Sequence, residues 1–308
     1  MRLAALAIAA VIAAVWAASP VLAQEPPVPS DGQRIGALVR AYAGLTNEQR
    51  RGVLIEQLRL EGFQPQWNTF EGGNDRTGPM PGANVVVTIG EGEQDIVLTA
   101  HFDAVPLPDG TMSQGVVDNA GSVAVLIAAA GLIKDQVDQA PSPYRYVLVF
   151  TDQEELGLIG AREWLKTQDK ARIRAVINLD VNAYGETLMY GENNGDQSAF
   201  LLAALRAQCA ERAFDCMAFP NYPPSDDRVF SAAGVPVISI GSQDAAGAHQ
   251  MWLAFNGGPD NGLAEGFVPP VFQRIHSAED KMEWVNGDDI LRTSLFVADL
   301  ALRLARDE

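Results

Sequence analysis

The sequence predicts an α/β fold: a single domain around a central mixed, mostly parallel sheet, flanked by helices on both faces. Three observations carry that expectation. Short apolar runs of strand character alternate with helical segments from about residue 83 onward. Tyr144–Phe150 reads as a strand buried on both faces. Polar and acidic clusters follow directly on several of the runs, where the carboxyl ends of strands in an open sheet gather ligands.

Length and composition agree. The chain has 308 residues, 47% hydrophobic and 20% charged, an ordinary globular balance with enough chain for a large core. Acidic residues outnumber basic ones 39 to 22, giving a formal net charge of −17. No nucleic-acid partner is expected, because such proteins need Lys and Arg to displace phosphate counterions. With three histidines, any metal site must lean on carboxylates.

Met1–Ala23 reads as a secretory signal: Arg2, an apolar run over residues 3–18, the break Ser19-Pro20, and small residues before a cleavage point. A retained membrane anchor is the rival, but the run is shorter than the roughly 20 residues a bilayer requires. Residues 24–32, including Pro26-Pro27-Val28-Pro29-Ser30, read as a flexible leader, and residues 33–308 as the folded domain. The mature chain is therefore expected in the periplasm or outside the cell, free of the membrane. In an oxidising compartment Cys209 and Cys216 could form one disulfide, joining a helix end to the next strand; two buried free thiols are the alternative.

Element by element, Gln33–Ala43 and Thr46–Leu60 are expected helices. Thr46 and Gln49 have capping-box spacing, and Val53, Leu54, Leu58 and Leu60 supply an apolar face. Gln64–Phe70 is a candidate strand and Glu71–Pro81 a Gly/Pro-rich loop. Ala83–Ile89 and Asp95–Ala100 are expected strands, with Gly90–Gly92 as the hairpin turn joining them into an antiparallel edge. Then follow an apolar helix over Ala120–Ile133, the strand Tyr144–Phe150 and a helix near Ala161–Thr167. Strands Ala175–Leu179 and Thr187–Tyr190 precede the helix Ser198–Arg212. The strand Val235–Ile240 and a closing amphipathic helix, Asp288–Leu304, complete the pattern. Gly241–Arg274 reads as a long irregular excursion of a kind that is usually functional or mobile.

The polar clusters fall on the ends of these strands. Asp95–Ala100 runs into His101-Phe102-Asp103, Tyr144–Phe150 into Thr151-Asp152-Gln153-Glu154-Glu155, and Ala175–Leu179 into Asp180. Gly115-Val116-Val117-Asp118-Asn119-Ala120-Gly121-Ser122 opens a helix, and Ile275-His276-Ser277-Ala278-Glu279-Asp280 comes late. Singly, each has an ordinary explanation as a cap or a helix-dipole residue. Together, two histidines and several carboxylates on one sheet end suit a pair of zinc ions about 3.5–4 Å apart, which need one bridging carboxylate. A further Glu beside a ligand can take a proton from water, and Asp103 can hold the second ring nitrogen of His101.

The ordered set HFD, DNAG, EE, NLD and IHS-ED resembles the co-catalytic di-zinc exopeptidases, specifically the secreted bacterial leucyl aminopeptidases and aminopeptidase Y. The resemblance covers roughly Asn84 to Val285. It implies a zinc-exopeptidase domain with two zinc ions per chain, one held by His101 and Asp180, the other by Glu155 and His276. Asp118 would bridge them, and Glu154 would be the general base. It also implies a cis peptide after Asp118. The family's Ser-Asp-His segment corresponds to Ser225-Asp226-Asp227, with Asp227 in place of the His. Ile275 stands where some members carry a Tyr that stabilises the tetrahedral intermediate.

The expected substrate is a peptide or small amide trimmed at its amino terminus, while oligomeric state is left open. The related aminoacylases and desuccinylases insert a dimerisation domain before the last His, for which the interval from Asp180 to His276 has no room. His249 reads as a loop or substrate-side residue. Glutaminyl cyclases, similar to this family but using one zinc, are an alternative reading. So are carboxypeptidases, dipeptidases and, in another class, a non-catalytic zinc-stabilised binding domain.

Overall fold

The computed structural model describes residues 29–140 and 142–305; the expected signal, and the leader before Pro29, lie outside the described residues. The chain forms α1 (Asp31–Arg40), α2 (Asn47–Leu60), β1 (Gln66–Asn74), β2 (Gly78–Ile89), β3 (Gln94–His101), α3 (Gly121–Gln139), β4 (Tyr144–Thr151) and α4 (Ile159–Lys166). It continues with β5 (Ile173–Leu179), β6 (Thr187–Gly191), α5 (Ala199–Glu211), β7 (Cys216–Phe219), α6 (Asp227–Ala232), β8 (Val237–Gln243), α7 (Ala245–Asn256), α8 (Pro270–Arg274) and α9 (Gly287–Leu304).

The strands form one mixed sheet in the order β1-β2-β4-β3-β5-β8-β6-β7. The central run β4-β3-β5-β8 is parallel, as is β6-β7, whereas β1-β2, β2-β4 and β6-β8 are antiparallel. Residues alternate between the two faces, as the period of two requires. Ile96, Leu98 and Ala100 of β3 with Tyr146, Leu148 and Phe150 of β4 face the core under α1, α3 and α9. Val97, Val147 and Val149 face a second core with Trp164, Phe230 and Val237.

Several boundaries differ from the sequence expectation. No hairpin joins Ala83–Ile89 to Asp95–Ala100, because β4 lies between β2 and β3. Gly90 and Gly92 serve a close approach instead: a Cβ at Gly92 would sit 2.2 Å from the Pro143 carbonyl oxygen. The edge hairpin is β1-β2, and the stretch expected as a loop over Glu71–Pro81 supplies its turn and the adjoining ends of both strands. Pro79 and Pro81 are tolerated because that half of β2 pairs only with β1, so a missing N–H breaks no ladder on the open side.

α1 starts at Asp31, capped by Ser30 in a reciprocal box with Gln33, so folded structure begins inside the expected leader. Thr46 and Gln49 form the same device on α2. Leu60 is 78% exposed, and the charged Arg50 takes a place on the buried face of that helix. The Gly241–Arg274 stretch holds the end of β8 and two helices, α7 and α8. α7 is capped by Asp244 and turns Ala248 and Met251 inward. Cys209 in α5 is joined by a disulfide to Cys216 at the start of β7, with Cα atoms 6.1 Å apart.

α3 is long and apolar enough to cross a bilayer, yet it is mostly buried between the sheet and α9. Leu126 is fully buried within it. Leu126→Ala should lower unfolding free energy by about 2–5 kcal/mol through lost transfer energy plus a cavity. Urea denaturation checks this; a loss under about 1 kcal/mol would mean that the helix is not the core element described here.

Candidate metal centre

Parallel pairing brings the carboxyl ends of β4, β3 and β5 side by side, and the donors stand there. His101 is the last residue of β3, Glu154 and Glu155 follow β4, and Asp180 follows β5. Asp118 comes from the turn that opens α3, and His276 from the loop after α8. The two oxygens of Asp118 face different imidazoles. Oδ1 lies 3.1 Å from His101 Nε2 and Oδ2 lies 3.0 Å from His276 Nε2. His101 Nε2 is also 3.6 Å from Asp180 Oδ1, and His276 Nε2 is 3.0 Å from Glu155 Oε2.

Two donor sets follow, sharing Asp118: His101/Asp118/Asp180 and Asp118/Glu155/His276, each with ligand atoms within 4.8 Å of one another. Glu154 groups with His101 and Glu155. Glu155 Oε1 and Asp180 Oδ1 are buried without a hydrogen-bond partner. Buried carboxylate oxygens left bare are costly unless a cation takes their lone pairs. The donor types and these bare oxygens fit two divalent ions of the zinc class.

Supporting residues hold each donor loop. Asp280 Oδ1 accepts the backbone N–H groups of Val116 and Val117 at 2.9 and 2.7 Å, and Oδ2 accepts that of Asp118 at 3.1 Å. The Asp118-Asn119 peptide is cis. The Asn119 side chain brackets Asp180: its Nδ2 donates to Leu179 O and its Oδ1 accepts from Val181 N, both at 3.1 Å. Asp103 lies 3.4 Å from His101 Nδ1, outside hydrogen-bond geometry, and its oxygens accept the Glu154 and Glu155 N–H groups at 3.1 and 3.2 Å. It therefore orients the Glu-Glu pair as much as the imidazole.

Gln153, Val181 and His276 have φ of 59°, 59° and 56°, in the left-handed region. For β-branched Val181 this is costly, of order 1–3 kcal/mol. All three positions adjoin or carry a donor, as backbone held for a site does.

A cleft of about 260 Å³ opens onto the donors. Met189, Met251, Phe255, Val271, Phe272 and Ile275 make one wall apolar, with Tyr222 and Gln243 among them. Neither Tyr222 nor the Met residues carried any spacing signal; tertiary folding alone brings them here. His249 is exposed on α7 and does not line the cleft, so the expected substrate-side position is not where the chain places it. Asp226 and Asp227 are fully buried beside the cleft rather than in it. Asp226 accepts the Thr151 hydroxyl at 2.6 Å, and Asp227 accepts the Ser225 N–H at 2.9 Å. Asp227 thus holds a local turn at the position where the sequence resemblance implies a His.

Without cations, protons balance the cluster. Hydrogen bonds to Asp118 and Glu155 raise His276 to about 11. Burial opposes charge on His101, yet Glu154, Asp103, Asp118 and Asp180 together hold its pKa well above the usual imidazole value. Burial lifts Asp118, but the two imidazoles outweigh it and keep it well below the normal carboxylate range. Burial pushes Glu154 up to about 10, opposed by His101 and reinforced by Asp226, Asp180 and Asp103. A metal entering at neutral pH must displace protons from both imidazoles. Metal affinity should accordingly rise with pH throughout the range below about 11, where His276 carries a proton in the metal-free protein, with proton release on binding. Calorimetry of the metal-free protein in buffers of differing ionisation enthalpy checks this; pH-independent affinity without proton release would contradict the donor assignment.

Known proteins share this architecture. Solved structures with the same fold include the glutaminyl cyclase of Porphyromonas gingivalis, at TM-score 0.65 and 19% identity over 89% of this chain and 95% of that one. Another is BSAP, a zinc aminopeptidase from Bacillus subtilis, at TM-score 0.58 and 19% identity over 75% of this chain and 52% of that one. A third is the LapA aminopeptidase of Legionella pneumophila, at TM-score 0.61 and 16% identity, covering 90% and 71%. The vacuolar membrane protease of Yarrowia lipolytica is 32% identical over 116 residues, 35% of this chain, and that match spans 11% of the yeast protein. A sequence model of peptidase family M28 matches residues 84–301, which contain His101, Asp118, Glu154, Glu155, Asp180 and His276. The chain belongs to peptidase family M28.

Proposed function

We propose that the protein is a two-zinc exopeptidase that removes residues from the amino terminus of peptides. The observation that carries this reading is the pair of donor sets sharing Asp118 at the mouth of an apolar cleft, with Glu154 beside them. His101 and Asp180 would hold one zinc, Glu155 and His276 the other, and Asp118 both. Bound zinc would supply Lewis acidity toward the scissile carbonyl and the attacking water. Glu154, buried next to His101 and outside the two donor sets that share Asp118, would lose the proton that burial and the neighbouring carboxylates hold on it once cations offset their charge, and as a carboxylate would accept the water proton and return it to the departing amine. Carboxylates around the donors attract the free α-ammonium group, and the apolar wall receives a large apolar side chain.

Export is part of the proposal. Met1–Ala23 has the form of a secretory signal, and the Cys209–Cys216 disulfide suits an oxidising compartment outside the cytoplasm.

A second reading, a glutaminyl cyclase, is favoured by the near-complete mutual coverage with the P. gingivalis enzyme. The products separate the two. The aminopeptidase releases free amino acids from unblocked peptides, including C-terminally amidated ones, and leaves N-acetylated peptides intact. The cyclase converts N-terminal glutamine to a ring and releases no amino acid.

Glu154→Gln should keep its metal and lower kcat by about 10²–10⁴-fold, the usual scale for a general base. Metal analysis alongside kinetics checks this; near-normal turnover would remove Glu154 from the role.

A further inference from the structure

α2 lies outside the residues that match the family model, yet one of its faces is laid across the loops that carry the donors. Asn47, Arg50 and Arg51 fall at positions i, i+3 and i+4 and so share that face. Asn47 grips Ala104 at both ends, donating to its carbonyl at 3.2 Å and accepting its N–H at 3.0 Å. Arg51 lies 3.5 Å from Asp152, two residues before Glu154, and Asp152 accepts the Ala83 N–H at 3.0 Å.

Arg50 is fully buried between them. Its Nε donates to Phe102 O, the residue after His101. Nη1 donates to Tyr42 O at 3.2 Å and Gln114 O at 3.0 Å, and Nη2 to Gly115 O at 2.9 Å, three residues before Asp118. The guanidinium also lies over the Tyr42 ring. Among the described residues no carboxylate pairs with it directly; Asp103, Asp280 and Asp118 act on it only through space.

A buried cation without a direct counter-ion is a costly choice unless its shape is needed. Arginine alone offers five donors in a rigid planar fork, which here ties the loop leaving His101 to the loop entering Asp118. Gly115 leaves the room: with φ of +57°, a Cβ there would meet Nη1 at 2.7 Å.

We propose that Arg50 is a positioning residue of the metal centre, fixing the separation of the His101 and Asp118 loops, and that α2 is therefore a functional part of that centre. The proposal rests on the two-zinc reading above. Asn47 and Arg51 extend the same brace to the loops of Asp103 and Glu154.

The test uses the mature protein stripped of metal. Zinc affinity is measured by competition with a chromogenic chelator, and the fold of the metal-free protein by circular dichroism and thermal melting. Wild type is expected to take up two zincs per chain. Arg50→Lys, which keeps the charge but loses the fork, should bind at least one zinc about 10- to 100-fold more weakly while retaining the wild-type spectrum. Asn47→Ala should show a smaller loss in the same direction. Wild-type affinity in a folded Arg50→Lys variant overturns the proposal, even if its melting temperature falls. If Arg50→Lys does not fold, Asn47→Ala decides, and unchanged affinity there overturns it as well. Failure of the wild type to bind zinc would instead sink the reading of the centre, so the two failures are distinct.

Discussion

Asp118 sits between two imidazoles at the buried end of the sheet, and the balance of charge around it governs the rest of the structure. His101, only 2% exposed, approaches one carboxylate oxygen, and His276, 54% exposed at the cleft, approaches the other. Glu154, Glu155 and Asp180 crowd the same space. So many carboxylates cannot all ionise in a desolvated site unless cations neutralise them. Protonated imidazoles do this in part, and divalent ions would do it more fully. The fold must hold the carboxylates together against their repulsion, and the supporting contacts serve that end. Asp280 takes three consecutive N–H groups, Asn119 brackets Asp180, and Arg50 gathers carbonyls from both flanking loops.

Sheet topology makes the convergence possible. β4, β3 and β5 are neighbours running in one direction, so the residues following them emerge at a common edge. Their two faces are sealed by separate apolar clusters, leaving the strand ends as the place where polar side chains can meet. β6, α7 and α8 then add the apolar wall, giving a polar corner of candidate metal donors beside an apolar pocket.

Much of this was legible in the sequence because the signals were local. His101 and Asp180 follow an apolar run directly, and Glu154 and Glu155 come four and five residues after Phe150, so strand ends and donors were read together. The capping boxes at Thr46 and the closing helix at Gly287–Leu304 are equally local. Strand order was not: Gly90–Gly92 reads as a hairpin turn, and only the intervening β4 shows that the glycines admit another backbone. The Gly/Pro-rich edge hairpin hid for a related reason, since an unpaired edge tolerates residues that a central strand would reject. α7 was masked by Gly247 and Asn256, and the expected position of His249 failed with it. Arg50 gave no sign at all. The Arg50-Arg51 pair in the polar first turns of a helix reads as surface, and only the carbonyls of distant loops turn Arg50 inward.

The most direct test of the account is anomalous diffraction across the zinc absorption edge from crystals of the zinc-loaded protein. Two peaks sharing Asp118, one at His101 and Asp180 and the other at Glu155 and His276, are the predicted result. A single peak, or zinc bound away from Asp118, would contradict it.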